Sequence, residues 1–190
     1  MDSDTHLISQ VLLGDQKAFH ALVERYQNYV FTITFKVLKN RELAEEVAQD
    51  VFIKVYKMLG SFQQKSKFST WLYTVAYRAA LDEARKKKRY AESIEGEDSF
   101  LQIEDTLGRG TDEGVQQEDL RKALEKAIQK LKPLNATIIT LFYLHEKSVQ
   151  EIADITGLTT TNIKTKLHRL REQLRKHLIS ELSTELEDLY

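Results

Sequence analysis

The segment from Ser148 to Lys176 reads SVQEIADITGLTTTNIKTKLHRLREQLRK and predicts two helices joined by a tight turn. Ser148 and Glu151 have the S-x-x-E spacing of a capping box, which satisfies two free N–H groups at the start of the first helix. Gly157 stands where the chain must turn, because glycine adopts positive φ without a steric penalty. Thr159 is placed to cap the second helix. The segment therefore predicts a helix-turn-helix.

The second helix of this segment has one apolar stripe and one polar, basic face. Ile163, Leu167, Leu170 and Leu174 recur every three or four residues and are predicted to face the core. The outer face carries Thr160, Thr161, Lys164, Thr165, His168, Arg169 and Arg171. In a major groove, Lys and Arg reach guanine acceptors, and Thr contacts the thymine methyl group. A solvated basic helix face has the same composition, and it is the capped helices and the turn together that favour DNA binding.

The composition excludes several classes of protein. Seven Gly and one Pro among 190 residues predict long helices, and a hydrophobic content of 42% is enough for globular cores. The absence of Cys excludes disulfides, thiolate zinc sites and cysteine nucleophiles, and it fits a reducing compartment. No apolar run approaches the ~18 residues that span a bilayer, and the start MDSDTH lacks the basic region of a signal peptide. We therefore expect a cytoplasmic protein.

The charges are segregated along the chain, although the formal net charge is only −1. Residues 85–89 are Arg-Lys-Lys-Lys-Arg, whereas residues 92–119 contain ten acidic side chains and one Arg. The helix-turn-helix is basic again, and the C-terminal tail is acidic. Two cationic surfaces separated by an anionic connector indicate a protein that holds one polyanion at two places.

Helix signals cover most of the first ninety residues. The predicted caps and breaks are Asp4, Asp15, Asn40, Gly60 and, for a fourth helix, Ser69 or Thr70. A polar loop over residues 61–67 precedes that fourth helix, which runs into the basic run at 85–89. Further along, Pro133 suits the first turn of a helix that precedes the helix-turn-helix.

The sequence thus predicts an all-α protein of two small helical domains. Residues 1–90 form the first domain, and residues 91–114 form a flexible acidic linker because they combine weak periodicity with high charge. Residues 115–190 form the second domain, which contains the helix-turn-helix and ends in an acidic tail.

A second nucleic-acid signal lies between Phe62 and Arg89. Aromatic side chains precede the basic run: Phe62, Phe68, Trp71, Tyr73 and Tyr77. Single-stranded nucleic acid is bound by this combination, because bases stack on aromatic rings while Lys and Arg contact phosphates. Aromatic residues at helical spacing fit a helix core equally well, so the pattern leaves both readings open.

Three segments resemble regions of bacterial sigma factors, in the order that the family uses. Residues 68–89, FSTWLYTVAYRAALDEARKKKR, resemble the segment that recognises and melts the minus-10 promoter element. Residues 44–57, AEEVAQDVFIKVYK, resemble the helix that binds core RNA polymerase. Residues 148–176 resemble the helix-turn-helix that reads the minus-35 element. Since no middle domain separates them, the chain is similar to the extracytoplasmic-function (ECF) group of the sigma-70 family.

The resemblance implies a role for each matching position. Glu46, Gln49 and Asp50 would contact the largest subunit of core polymerase, although a solvated helix face has the same composition. The positions implied at the minus-10 element are Phe68, Trp71, Tyr77, Arg78, Arg85, Lys86, Lys87, Lys88 and Arg89, of which the last five would hold phosphates. At the minus-35 element, Lys164, Thr165, His168 and Arg169 would face bases, and Arg171 and Arg175 would face phosphates.

The function implied by the resemblance is non-catalytic. The chain would bind core RNA polymerase, direct it to promoter DNA with two elements, and assist melting. An anti-sigma factor, commonly membrane-bound in this group, is the further partner implied. The alternative is an effector-responsive helix-turn-helix regulator, which would bind duplex DNA tightly and specifically without polymerase. An enzyme is disfavoured, because H-E-x-x-H, P-loop and G-x-S-x-G patterns are missing, and we expect no cofactor, metal or small-molecule substrate.

Overall fold

The computed structural model describes residues 3–94 and 124–187, which are helical apart from short connections and contain no strand. The first helical unit consists of α1 (Ser3–Leu12), α2 (Gln16–Leu38), α3 (Arg41–Met58) and α4 (Phe68–Ile94), with a 3₁₀ turn at Leu59–Ser61. The second consists of α5 (124–129), α6 (Pro133–Ile139), α7 (Val149–Thr156) and α8 (Thr160–Glu187), with a π-helical turn at Thr140–Leu144. The all-α prediction is confirmed.

The predicted domain boundaries fall mainly outside the described residues. Residues 95–114 of the predicted linker and 115–123 of the predicted second domain are not among them. Residues 91–94, which were assigned to the linker, instead continue α4. At the C-terminal end, α8 extends through most of the acidic tail to Glu187.

The local signals between α1 and α3 are confirmed with one exception. The Asp15 carboxylate caps α2 by accepting from the Lys17 N–H at 2.8 Å, and Asn40 caps α3 by accepting from the Leu43 N–H at 2.8 Å. Asp4 is not a cap. It lies inside the first turn of α1, and its carboxylate accepts hydrogen bonds from Arg25 and from the hydroxyl of Tyr26, so it joins α1 to α2.

The predicted cap of α4 is wrong in an informative way. The helix begins at Phe68, and the Lys67 carbonyl accepts from the N–H groups of Thr70 and Trp71 at 3.0 and 3.2 Å. Ser69 and Thr70 therefore lie within the first turn, where their hydroxyls are free to bond elsewhere. Both bond to the second helical unit, because that unit packs against the start of α4.

The second unit follows its sequence signals closely. Ser148 and Glu151 form the reciprocal capping box, and Gly157 ends α7 with φ 74°. The Thr159 hydroxyl accepts from the Asn162 N–H at 3.2 Å at the start of α8. The predicted apolar stripe of α8 is buried: Ile163, Leu167, Leu170 and Leu174. The predicted helix from Pro133 to Leu144 is present, with its last turn widened into a π-helical turn.

The two units pack directly against each other and share one continuous apolar core. Helix α2 contacts α6, and α4 contacts α7. The Lys39 ammonium also donates to the Gln129 carbonyl at 3.0 Å, which joins the end of α2 to α5. Nothing in the sequence predicted this contact, because it pairs residues far apart in the chain.

Candidate functional site

The outer face of α8 is available to a partner along its whole predicted reading surface. Lys164, Thr165, His168 and Arg169 are exposed, because the buried stripe occupies the opposite side of the helix. Thr161 and Arg175 are also exposed, while Thr160 is half-buried at the first turn. The structure therefore brings the predicted minus-35 residues onto one open face.

Arg171 has a side-chain partner outside α8 among the described residues. Its Nε donates to the hydroxyl of Tyr143 at 2.7 Å, and Tyr143 belongs to the π-helical turn before the helix-turn-helix. π-Helical turns occur frequently at functional sites. This bond holds the Arg171 guanidinium at the edge of the α8 face, and no local sequence signal connected two residues 28 positions apart.

The first half of α4 is divided between core and surface. Phe68 and Tyr77 are each only 4% exposed, and burial raises the pKa of the Tyr77 hydroxyl. Trp71 is half-buried, with its ring 5.1 Å from that of Phe62, and Arg78 is exposed. In this arrangement only Trp71 and Arg78 of the four predicted residues present surface to a nucleic acid. Phe68 and Tyr77 support the helix from inside.

The basic run at residues 85–89 is exposed on the second half of α4. Among the described residues, Arg85 pairs with Asp82 at 3.4 Å and Lys86 pairs with Glu83 at 2.9 Å within the helix. Arg89 donates to the Arg85 carbonyl at 3.4 Å. Since exposed pairs of this kind contribute little free energy, they leave the run able to exchange its partners for phosphates.

The predicted docking face of α3 is exposed as well. Glu46, Gln49 and Asp50 point away from the buried residues of the helix. Ile53 and Tyr56, which the sequence analysis missed, continue the exposed surface of the helix and are 54% and 45% exposed. Ile53 follows Gln49 by four residues and Tyr56 follows Ile53 by three, and this helical spacing was the available signal. Large apolar side chains beside charged ones are typical of a protein-binding surface.

A groove connects the docking face of α3 to the basic run of α4. Its lining includes Glu46 from α3 and Lys86, Lys87 and Tyr90 from α4. The predicted polymerase-binding and phosphate-binding side chains are therefore neighbours on one side of the first unit. A partner seated on α3 would lie beside any DNA held by α4.

A polar cluster joins α4 to the start of α7. The Lys147 ammonium donates to the Ser69 hydroxyl at 2.7 Å, and the Thr70 hydroxyl donates to the Glu151 carboxylate at 3.0 Å. Lys67 lies 3.6 Å from the same carboxylate. Burial by itself would raise the pKa of Glu151, but bonds from Ser148 and Thr70 and the Lys147 charge outweigh it and lower that pKa to about 2. Glu151 is thus ionised at neutral pH.

An aromatic cluster lies beside this polar one. The His145 ring is 4.8 Å from Tyr29 of α2 and 5.5 Å from Tyr73 of α4. Burial, with a smaller effect of the Lys147 charge, lowers the pKa of His145 to about 4. Its Nδ1 is buried and has no hydrogen-bond partner. The imidazole therefore packs as a neutral ring between the two units.

The described segments were compared with the geometry of a metal site and of a membrane-spanning helix. Across residues 3–94 and 124–187, no set of three His, Asp or Glu side chains is placed to hold a metal ion. Within the same two ranges, no helix is both long enough and apolar enough to cross a bilayer.

The two helical units match two known families. Residues 22–90 match Sigma-70 region 2, and residues 121–174 match Sigma-70, region 4. The ECF RNA polymerase sigma factor SigW of Bacillus subtilis strain 168 is 35% identical to the chain over 176 residues, which are 90% of this chain and 94% of the relative. The chain belongs to the ECF group of sigma-70 factors.

Further relatives have the same range of similarity. The ECF RNA polymerase sigma-E factor of Haemophilus influenzae is 31% identical and covers 93% of this sigma factor and 95% of the relative. Among solved structures, the sigma factor RpoE of Bartonella quintana in complex with the anti-sigma factor NepR has a TM-score of 0.71 at 21% identity, over 85% of this chain and 97% of that one. CnrH in complex with the cytosolic domain of CnrY has a TM-score of 0.64 at 20% identity, over 94% and 99%.

The family match fixes which parts of this sigma factor correspond to the two conserved regions. We call residues 3–94, which include the matched positions 22–90, the region 2 unit. We call residues 124–187 the region 4 unit, since the match at 121–174 covers α5 to α7 and the first half of α8. A sigma factor directs promoter-specific transcription, and the regulator without sigma activity is not favoured.

Proposed function

We propose that this sigma factor binds core RNA polymerase through α3, reads an upstream promoter element through α8, and helps to open the downstream element through α4. The observation that carries the proposal is the exposure of one continuous basic face on α8 within a match to Sigma-70, region 4. A second basic surface on α4 lies within the match to region 2. Two such surfaces on separate units suit two elements of one promoter.

At the upstream element, Lys164, Thr165, His168 and Arg169 read base edges in the major groove. Their exposure and their position on one face of α8 allow all four to enter a groove together. Arg175 and Arg171 contact phosphates at the margin, and Arg171 does so from the position that Tyr143 gives it. Phosphate contacts fix the register of the helix, while base contacts select the sequence.

At the downstream element, Trp71 and Arg78 face the melted strand, and the cations at 85–89 hold its backbone. Opening costs a few kcal/mol per unstacked step, which stacking of about 1–3 kcal/mol per base can offset. Phe68 and Tyr77 take part indirectly, because their buried rings fix the α4 surface from which Trp71 and Arg78 project.

Core polymerase binds the α3 face formed by Glu46, Gln49 and Asp50, extended by Ile53 and Tyr56. Acidic side chains steer a basic partner, and the adjacent apolar side chains contribute burial once contact is made. The polymerase performs the chemistry, so we propose no catalytic role for this chain and place its action where polymerase and DNA are found, in the cytoplasm.

An anti-sigma factor is the further partner in this proposal. Two solved structures with the same fold, those of RpoE and CnrH, each contain a partner, and for RpoE that partner is named an anti-sigma factor. The exposed apolar side chains on α3 offer such a partner a surface that overlaps the polymerase site. Binding of the two partners would then be mutually exclusive.

The experiment that tests the proposal is in vitro transcription with purified bacterial core polymerase on genomic DNA fragments. We expect initiation at a small set of promoters only when the sigma factor is added. Asp50→Arg should lower polymerase pull-down at least ~100-fold because it places a cation on the docking face. Glu24→Arg makes the same change on exposed α2 and should leave binding intact. Initiation that does not depend on the chain would contradict the proposal.

A further inference from the structure

Tyr143 is an exposed tyrosine that the π-helical turn holds in a fixed position. The turn is closed by the His145 N–H, which donates to the Thr140 carbonyl at 3.1 Å, five residues back. Tyr143 is 49% exposed, and its ring meets that of Phe142 edge-on, with 4.9 Å between the ring centres. Phe142 in turn packs against the apolar core. The Tyr143 ring is therefore supported on one side, while its hydroxyl is presented at the surface.

The bond between Arg171 and Tyr143 leaves the hydroxyl proton unused. Arg171 Nε donates to Tyr143 Oη at 2.7 Å, so the tyrosine oxygen is the acceptor in this bond. A guanidinium has no acceptor of its own, and the Tyr143 O–H must therefore point to another group. Among the described residues, the structure gives this O–H no acceptor. A second hydrogen-bond donor thus lies beside the Arg171 cation.

Arg171 also keeps most of its own donors. Its bond to Tyr143 uses the Nε–H, which leaves the four N–H groups on the two Nη atoms. The side chain is exposed, and none of the ion pairs within residues 3–94 and 124–187 involves it. The pair therefore offers O–H and N–H donors and a positive charge, without a carboxylate that would compete for them.

The donors of the pair are close enough to bind one phosphate. In a planar guanidinium the Nη atoms lie about 2.3 Å from Nε, so each lies within about 5 Å of the Tyr143 oxygen. Donors at this separation can both reach oxygens of one phosphate at hydrogen-bond lengths of about 2.8 Å. A phosphodiester supplies several acceptor oxygens and a negative charge, which match what the pair offers.

The position of the pair on α8 favours a DNA backbone as the ligand. Arg171 follows His168 by three residues, so it lies at the margin of the proposed base-reading face. The exposed side chains within one turn of Arg171 along α8 are polar or charged: His168, Arg169, Glu172, Gln173 and Arg175. A peptide partner would usually bury apolar side chains at the centre of its interface, and this stretch of α8 exposes none.

We propose that the Tyr143 hydroxyl and the Arg171 guanidinium form a clamp in which both side chains donate to the same phosphate of the DNA backbone. The clamp rests on the proposed function, which places promoter DNA on this face of α8, and it adds Tyr143 as a DNA contact that precedes the helix-turn-helix. Arg171 orients the hydroxyl, and the hydroxyl orients the guanidinium. A phosphate held by both connects the π-helical turn and α8 to one DNA strand, which fixes the register of α8 in the groove.

The variant Tyr143→Phe tests the hydroxyl alone, because it keeps the ring against Phe142. Holoenzyme that carries it should bind promoter DNA about fivefold more weakly, since a hydrogen bond to a charged group is lost. The slope of log affinity against log salt concentration should not change, because no charge is removed. The matched control is Tyr29→Phe, which removes the hydroxyl of a tyrosine on α2 that is 40% exposed and should bind like wild type. Circular dichroism should show equal helicity in all three chains.

The variant Arg171→Ala tests whether the two side chains act together. It should weaken promoter binding about tenfold and lower the salt slope by about one, because a phosphate contact with a charge is lost. In the Arg171→Ala background, the further change Tyr143→Phe should weaken binding by less than about twofold, since the hydroxyl has lost the group that orients it. A full fivefold loss in that background would show two independent contacts and overturn the clamp.

The decisive experiment replaces the backbone phosphates of the upstream element one at a time with methylphosphonates, each of which removes the charge and one acceptor oxygen. Wild-type holoenzyme should lose affinity about tenfold at one phosphate where Tyr143→Phe and Arg171→Ala each lose less than about threefold. At the other phosphates the three chains should show equal losses. This pattern would identify the phosphate that both side chains contact.

Two results would separate the clamp from the proposed function. If Tyr143→Phe shows the same losses as wild type at every phosphate, the bond from Arg171 to Tyr143 only stabilises the fold, and the clamp is overturned while the proposed function stands. If wild-type holoenzyme binds no promoter DNA at all, the proposed function fails, and the clamp fails with it.

Discussion

Helices α4 and α8 are the two longest among the described residues, and each was predicted to contact DNA, but they differ in how much of their surface is buried. Helix α8 buries one stripe and leaves most of the rest of its first four turns exposed. The first half of helix α4 is largely covered, by the region 2 core on one side and by α7 on another, so that Arg78 is an exposed exception there, whereas residues 85–90 are all exposed. The same kind of sequence signal therefore selected mostly exposed residues in α8 and a mixture of exposed and core residues in α4.

The difference teaches that periodicity assigns faces reliably only when a helix packs on one side. In α8 the residues left over from the apolar stripe are the surface. In α4 two partners cover two faces, so polar Ser69 and Thr70 and amphipathic Tyr73 and Tyr77 are buried together with apolar residues. Such side chains have both apolar and polar atoms, so they fit a buried position as well as an exposed one.

The largest expected effect is a loss of stability at Tyr77, which tests whether this residue belongs to the core or contacts DNA. Tyr77→Ala should lower the free energy of unfolding by about 3–5 kcal/mol, because a buried ring is removed from the core. Tyr90→Ala, at a tyrosine of the same helix that is 69% exposed, should change it by less than about 0.5 kcal/mol. Urea denaturation followed by fluorescence of Trp71, the only Trp, measures both.

The conservative change Tyr77→Phe provides the control, since it keeps the ring and removes the hydroxyl. We expect it to preserve both stability and promoter opening. Small, similar losses of unfolding free energy for Tyr77→Ala and Tyr90→Ala would mean that α4, like α8, is buried on one face only.

The second prediction concerns the residues of α8 that we propose read bases. Lys164→Ala or Arg169→Ala should weaken promoter use by about 1–3 kcal/mol and relax the choice at one upstream base pair. Glu172→Ala, an exposed change on the same helix, is the control and should preserve sequence selectivity. Holoenzyme binding to a set of promoters with single base changes measures the effect. Equal losses of holoenzyme binding on every promoter sequence would show that these two cations contact phosphates and do not select bases.

The third prediction uses the histidine that packs region 4 against α4. Since burial holds the pKa of His145 near 4 in the folded chain against 6.5 ordinarily, the unfolded chain binds the extra proton as pH falls below 6.5. Acidification from pH 7 to 5.5 should therefore remove about 1 kcal/mol of stability. Glu151, with a pKa of about 2, contributes stability above pH 4.5 and loses it only below that value, so it does not affect this window.

Denaturation series at several pH values measure this effect. His145→Phe preserves the ring packing against Tyr29 and Tyr73 and should abolish the dependence between pH 7 and 5.5. The surface change His20→Gln should leave it in place. If the stability of His145→Phe still falls between pH 7 and 5.5, a group other than His145 takes up the proton.

The smallest expected effect concerns the exposed half of α4. Lys87→Ala should weaken DNA binding by the holoenzyme evenly across promoters and reduce the slope of log affinity against log salt by about one. Lys54→Ala removes an exposed cation from α3 and should leave that slope unchanged. A loss of binding in Lys87→Ala that depends on the promoter sequence would show that the second half of α4 reads bases, as we propose for α8.

Much of the local architecture was predictable. The capping box at Ser148, the turn at Gly157 and the cap at Asp15 depend on neighbours within four residues, and the structure shows each as expected. The caps expected from Asp4 and from Ser69 or Thr70 were wrong, because each of these side chains bonds to a distant helix. Where a side chain could either cap its own helix or bond to a distant one, the packing of the helices decides between the two. The local spacing of residues carries no information on that packing.

The sequence by itself determined the helical class, the helix-turn-helix, the exposed face of α8 and the family, because these follow from short-range spacing and from motifs in order. Only the tertiary structure decided that Phe68 and Tyr77 are buried, that Arg171 bonds to Tyr143, and that Thr70 meets Glu151. Thr70 and Glu151 are 81 residues apart. Contacts at that separation depend on how whole helices pack, which no local periodicity encodes.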